Sequence, residues 1–246
     1  MINKHINSSI QKGVEFLDKT QKENGGFVCL TSIQFDNYKD AKKVPAIVST
    51  NIVLSSLIHL KETDKVKEVK NKAAKFLLSQ KSNHWSFNYW FRDSKEYKKI
   101  PYPDDLDDTF CALAALYEHN SKIFDGNVMG KIINMLTIAE EKEGGPYNMW
   151  LTPRNPRATG EKWHDIDLVV NSNVAFFLYL NNITLPKLNA FIEKSVDEND
   201  YEFPYNTIYP CIYFIFCYLI IFAKQNRIFT SHIGVRFSER QDHFLH

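Results

Sequence analysis

Four aspartates within five residues, Asp104-Asp105-Leu106-Asp107-Asp108, are the densest run of reactive groups in the chain. Carboxylates this close repel one another, and protonating one relieves the repulsion. A carboxylic acid flanked by carboxylates and buried against apolar walls can hold its proton at neutral pH. Such a group could protonate an alkene, a poor base that demands a strong acid and a water-free site. The cation formed needs aromatic faces around it rather than nucleophiles. The plainer reading is structural: these residues open a helix, where carboxylates cap free N–H groups and complement the macrodipole. Pro101 and Pro103, just ahead, fit a conventional turn into a helix.

A second cluster, Trp163-His164-Asp165-Ile166-Asp167, opens a later apolar helix at the corresponding place. His164 could hydrogen-bond a carboxylate and tune it, or Asp165 and Asp167 could hold a divalent ion such as magnesium over a diphosphate. As plain structure, His164 is a surface or capping residue. Arg154, Arg157 and Lys162 precede it in a Pro-containing loop and could grip an anionic head group, though loop charges are commonly just solvated. The aromatic set Trp85, Phe87, Tyr89, Trp90, Phe91, Tyr147 and Trp150 reads mostly as packing that locks turns between helices, with one or two residues left to line a lipid-shaped cavity. The candidate substrate contacts are Asp165, Asp167, His164, Trp85, Trp90, Tyr147, Trp150 and Arg154, with no resident metal site.

The elements that must position these groups read as helices. Ile10, Val14, Phe16 and Leu17 form one apolar stripe ending near Gly25-Gly26. Residues 47–60 form a second helix, introduced by Pro45 and offered a cap by Ser49 or Thr50. Residues 66–78 form a third, with Lys and Glu on the wet face. Residues 109–117, 128–139, 168–180 and 188–196 continue the pattern, and no alternating run is long enough to argue for a sheet.

The chain also repeats itself. Thr50-Asn-Ile-Val-Leu-Ser-Ser-Leu57, Thr109-Phe-Cys-Ala-Leu-Ala-Ala-Leu116 and Asn173-Val-Ala-Phe-Phe-Leu-Tyr-Leu180 are apolar helices, each opened by a small polar residue. Ahead of each comes a turn: Gln21-Lys-Glu-Asn-Gly-Gly-Phe27, Gln80-Lys-Ser-Asn-His-Trp-Ser-Phe87, Glu140-Glu-Lys-Glu-Gly-Gly-Pro-Tyr147. One unit of about 60 residues is thus an apolar helix, an amphipathic helix and a Gln/Gly/aromatic turn. Aligned with Asp107 and Asp108, the first unit has Val48 and Ser49, and the third has Asn171 and Ser172. Ser suffices as a cap, so the extra carboxylates of the middle unit favour chemistry over capping. Apolar helices alternating with half-polar ones suit two concentric layers: an all-α fold, an α/α toroid in the form of a single incomplete barrel.

Gln21-x-x-x-Gly25-x-Phe27 resembles the repeat of squalene–hopene cyclases and their relatives, and the other two turns look like degenerate copies. Asp105-x-Asp107-Asp108-Thr109 is similar to the Asp-x-Asp-Asp-Thr signature of class II terpene cyclases. The likeness covers residues 10–215. It implies a terpene cyclase or prenyltransferase-like toroid over residues 1–223, with 224–246 an irregular tail. It implies proton-initiated cyclization of a polyprenyl chain, with Asp107 as donor and Asp105 and Asp108 supporting it. No cofactor is required, apart from magnesium where the substrate carries a diphosphate. Class II cyclases build their site between two toroidal domains, and this chain has length for one, which points to a shortened member, to a second toroid chain as partner, or to a toroid without cyclase activity. The related protein prenyltransferases use an Asp, a Cys and a His on zinc, but here Cys111 lies three beyond Asp108 and no Asp-x-Cys occurs.

Composition narrows the alternatives. With 30 basic and 29 acidic residues the net charge is +1, so no global field argues for nucleic acid. Four cysteines without CxxC spacing read as reduced thiols, and the N-terminus lacks the apolar segment of a signal peptide, so a cytoplasmic setting is expected. The apolar run 208–223, interrupted by Pro210, is shorter than a spanning helix and reads as a core helix, with peripheral membrane contact the lesser option. Two other functions suit the same residues: a non-catalytic toroid binding a lipid or a partner protein, and a carboxylate-dependent glycan-active enzyme. Cyclization predicts Asp107 buried, neutral and facing an apolar cavity. A glycan-active site predicts separated carboxylates across a polar groove, and a binding module predicts aspartates exposed as a cap.

Overall fold

The computed structural model describes residues 2–32, 39–100, 102–152 and 165–198. Over these residues the chain is mostly helical: α1 (Ile2–Thr20), α2 (Val48–Ile58), α3 (Asp64–Gln80), a short α4 (Lys95–Lys99), α5 (Leu106–His119), α6 (Gly126–Ala139), α7 (Leu168–Leu180) and α8 (Pro186–Asp197), with one 3-10 turn at Ser121–Ile123. Each helix expected from periodicity is present, and α7 matches to the residue. The expectation of no sheet is corrected by a hairpin, in which Cys29–Thr31 pairs antiparallel with Lys42–Val44. Strands of three residues are too short to leave an alternating signal. The apolar run 208–223, with Cys211 and Cys217, and the tail 224–246 lie outside the described residues. Among those described, no helix is long and apolar enough to cross a membrane.

Burial explains which helices sit where. In α3, Val66, Val69, Ala73, Phe76, Leu77 and Gln80 are buried at helical spacing, while Lys65, Lys67, Lys72 and Lys75 stay wet. α5 buries Phe110 and five consecutive residues, Ala112 to Leu116, and α7 buries every residue from Leu168 to Ala175. A helix buried around most of its circumference must have neighbours on several sides. Accordingly α5 packs between α2 and α7, α3 touches both α2 and α5, and α8 lies against α7.

The repeat is a physical device. In each unit the aromatic that ends the turn donates its backbone N–H to a buried polar side chain on the following apolar helix. Phe27 donates to Thr50 Oγ1 at 3.0 Å, Phe87 to Thr109 Oγ1 at 2.9 Å, and Tyr147 to Asn171 Oδ1 at 2.8 Å. The anchors are Thr50, Thr109 and Asn171, so the register of the third unit shifts by two from the sequence expectation of Asn173. Val169 and Val170, not Asn171 and Ser172, then stand opposite Asp107 and Asp108. The turns are also alike: Gly25, Trp85 and Gly145, each two residues ahead of its aromatic, adopt φ of +94°, +68° and +95°. Gly25 has a second reason to be glycine, because a Cβ there would come 2.2 Å from the Lys72 carbonyl oxygen.

The capping expected for α2 is corrected by the same device. Its first turn has no side-chain cap; Thr50 Oγ1 accepts from Phe27 N–H, and Ser49 Oγ donates to the Phe27 carbonyl at 2.6 Å. Both hydroxyls hold the turn instead.

Candidate active site

The stretch 102–108 enters α5 along two neighbouring backbones. Asp105 N–H donates to the Phe87 carbonyl at 3.2 Å and Leu106 N–H to Met149 at 2.7 Å, while Leu151 N–H returns to Asp104 at 2.9 Å. The helix start is therefore wedged between the turns of two units, and its side chains have fixed directions.

The four aspartates divide into different roles. Asp104 is ion-paired: Arg92 reaches it at 2.6 Å, with Ser86 Oγ and Asn88 Nδ2 also donating. Asp105 is the cap, accepting from Asp108 N–H at 2.7 Å, so the structural reading holds for this residue. Asp107 and Asp108 do no capping. Asp105 and Asp108 are buried and Asp107 is half-buried, so complete enclosure, expected for the donor, is not what Asp107 has. Burial, added to by neighbouring carboxylates, pushes Asp105 and Asp108 well above the ordinary carboxylate range. Asp107 is pushed up to about 6, first by burial and then by the charge of Asp167, with the Asn173 hydrogen bond pulling the other way.

Asp167 caps α7, accepting from Val170 N–H at 2.9 Å, and burial raises its carboxyl too. The acids of α5 and α7 thus confront one another across adjacent helix starts. Asn173, six residues further along α7, donates Nδ2–H to Asp107 Oδ1 at 2.7 Å. Among the described residues, no three His, Cys, Asp or Glu side chains converge as metal ligands do.

Beside the acids runs a row of rings. Tyr89 and Trp90 meet edge to face at 4.7 Å, Trp90 stacks on Tyr102 at 6.1 Å, and Tyr102 lies 6.3 Å from Trp150. Trp90 and Trp150 are equivalent residues of two units, so the row bridges consecutive repeats. Trp150 Nε1–H donates to Asp165 at 2.9 Å, which makes Asp165 a support for the ring. Tyr89 and Cys29 lie within electrostatic range of Asp108.

Two expected contacts are corrected. Trp85 is buried against Phe124, which packs on Tyr117 near the last turn of α5. Tyr117 is ten residues beyond Asp107, about 15 Å along the helix, so Trp85 belongs to the far end of α5. Tyr147 is buried too, its ring beneath the turn and its amide on Asn171; both rings pack the core rather than line a site. His164 and Arg154, with Arg157, Lys162 and Trp163, lie outside the described residues. Sequence reasoning missed Tyr102, Asn173 and the pairing of Arg92 with Asp104. One missed signal was available: Phe87-Asn88-Tyr89-Trp90 and Tyr147-Asn148-Met149-Trp150 share an aromatic-Asn-x-Trp pattern. In each, the Asn accepts from the Trp backbone N–H.

No known protein family's sequence model matches the chain, and no curated protein sequence matches it either.

Proposed function

We propose that the chain is an arc of an α/α toroid, with α2, α5 and α7 as its inner row, and that Asp107 starts cyclization of a polyprenyl substrate by protonating an alkene. The observation that carries this reading is the surplus at the start of α5. Asp105 already caps the helix and Thr109 already anchors the turn, yet Asp107 and Asp108 stand where α7 has Val169 and Val170. Burying carboxylates costs free energy, and among the described residues the side-chain bonds these two accept are those of Asn173 and, more weakly, Cys111 on Asp107. An acid with a pKa of about 6 keeps a sizeable protonated fraction near neutral pH.

In the reaction, the proton leaves Asp107 and the alkene π pair forms the new C–H bond. The neighbouring carbon becomes cationic, the next alkene's π pair closes a ring, and a proton is lost at the end. The net change is isomerization, which consumes no oxidant and no cofactor; magnesium would serve only to hold a diphosphate on the substrate. The row Tyr89–Trp90–Tyr102–Trp150 offers π faces to the cation. A second toroid chain or a membrane surface would complete the enclosure that half-buried Asp107 lacks.

A carboxylate pair acting on a glycan is the second reading, favoured by Asp167 confronting Asp107 from the adjacent helix. Incubation of the purified protein with squalene, farnesyl diphosphate and geranylgeranyl diphosphate, followed by mass spectrometry, separates the two. A cyclic isomer that disappears in Asp107→Asn supports cyclization. No product from a folded sample removes it, and sugar release from an oligosaccharide panel would install the alternative.

A further inference from the structure

The contact between α5 and α7 holds a residue with no place in the Asp-x-Asp-Asp run. Asn173 is buried on α7 and donates Nδ2–H to Asp107 Oδ1 at 2.7 Å, across 66 residues of sequence. It is not the anchor of its unit, because Asn171 does that work with bonds to the Tyr147 backbone and the Asp167 carbonyl. Nor does it cap the helix, because Asp167 does. The Cys111 thiol lies on the same oxygen of Asp107 at 4.0 Å, and no other described side chain donates to this carboxyl. Both contacts fall on Oδ1. We propose that Asn173 is a positioning residue for Asp107: from α7 it pins one carboxyl oxygen and leaves Oδ2 as the oxygen that carries and delivers the proton. The proposal rests on the acid role given to Asp107 above, and it adds the group that orients that acid.

The surroundings are consistent with such a clamp. On α5 itself Asp107 is accompanied by Asp105, Asp108 and Cys111; α7 contributes Asp167 beside Asn173. Around neighbouring Asp108 stand Asp104 from the entering strand, Cys29 from the hairpin, Tyr89 from the second turn, and Asn51 of α2, whose amide reaches the Asp108 carbonyl at 3.5 Å. None of these is basic. A neutral amide can therefore hold Asp107 in one orientation and still let it be protonated, whereas a cation would lock it as carboxylate. Asn173 and Asp167 act on it in opposite senses, the first favouring the ionised form and the second opposing it.

The test is the titration of Asp107 in the full-length protein, followed by carbon NMR of chains labelled at the aspartate carboxyl, with the Asp107 signal assigned by its loss in Asp107→Asn. The wild-type midpoint is expected near 6. In Asn173→Ala the proton affinity of Asp107 should rise roughly tenfold, as loss of a hydrogen bond to a charged group implies. In Asp167→Asn it should fall. Asn173→Ser, too short to reach Oδ1, is the second variant should the alanine form not fold, and it should move the midpoint upward as well. An unchanged midpoint in a folded Asn173 variant overturns the positioning role. No substrate is involved: a moved midpoint in a protein that makes no cyclic product upholds Asn173 and removes only the cyclase reading.

Discussion

The starts of α5 and α7 follow one plan and, between cap and anchor, differ in two side chains. Each is capped by an aspartate, Asp105 or Asp167, that accepts the amide three residues on. Each anchors the preceding turn four residues after its cap, through Thr109 or Asn171. Between cap and anchor, α5 carries Asp107 and Asp108 where α7 carries Val169 and Val170. The shared residues hold the fold, and the residues that differ are the place to look for chemistry. α2 supports the division: it keeps the anchor Thr50 with Val48 and Ser49 ahead of it, and no carboxylate.

The largest effect on stability is expected at an anchor. Asn171→Ala strands the Tyr147 amide and carbonyl in a buried site, which should cost about 3 kcal/mol in urea unfolding. Asn173→Ala, two residues along the same helix, should cost about 1 kcal/mol, because it removes one bond. Equal losses at the two positions would dissolve the distinction between anchor and positioning residue.

A smaller effect concerns pH. The folded pKa of Asp107 is raised, so the folded state binds the extra proton between the unfolded value near 4 and about 6. Its contribution is therefore most favourable at low pH and is lost as pH rises through about 6, by roughly 3 kcal/mol. Asp105, Asp108 and Asp167 are raised as well and add to the same downward slope. Unfolding curves of wild type and Asp107→Asn between pH 4.5 and pH 8 (roughly the window set by those values) should converge at the acid end, with the variant the more stable at the alkaline end.

Much of this plan was legible in the sequence, because period and turn chemistry are local. Val66, Val69, Ala73 and Phe76 announce the buried face of α3, and Gly25 and Gly145 mark turns that need positive φ. Register was harder. The separation from turn aromatic to anchor is 23, 22 and 24 residues in the three units, so matching apolar helices by eye placed the third anchor at Asn173 instead of Asn171. Trp85 hid its turn by standing where the other units have glycine. Long-range pairs left no local trace: nothing near Asp107 announces Asn173, and nothing in the four-aspartate run says that Asp104 is taken by Arg92.

The central claim, that the surplus carboxylates of α5 serve chemistry at the fold's expense, is tested most directly by the thermal midpoint of Asp108→Val at pH 7.5 (roughly physiological, well above ordinary carboxylate values). Asp108 is buried, raised by burial and by the charge of Asp107, and matched by Val170 in α7. The account predicts a midpoint several degrees above wild type, since the substitution removes a buried charge and supplies the side chain that the same backbone already accommodates. A lower midpoint would mean that Asp108 holds the fold together, and the case for a dedicated acid site at Asp107 would fall with it.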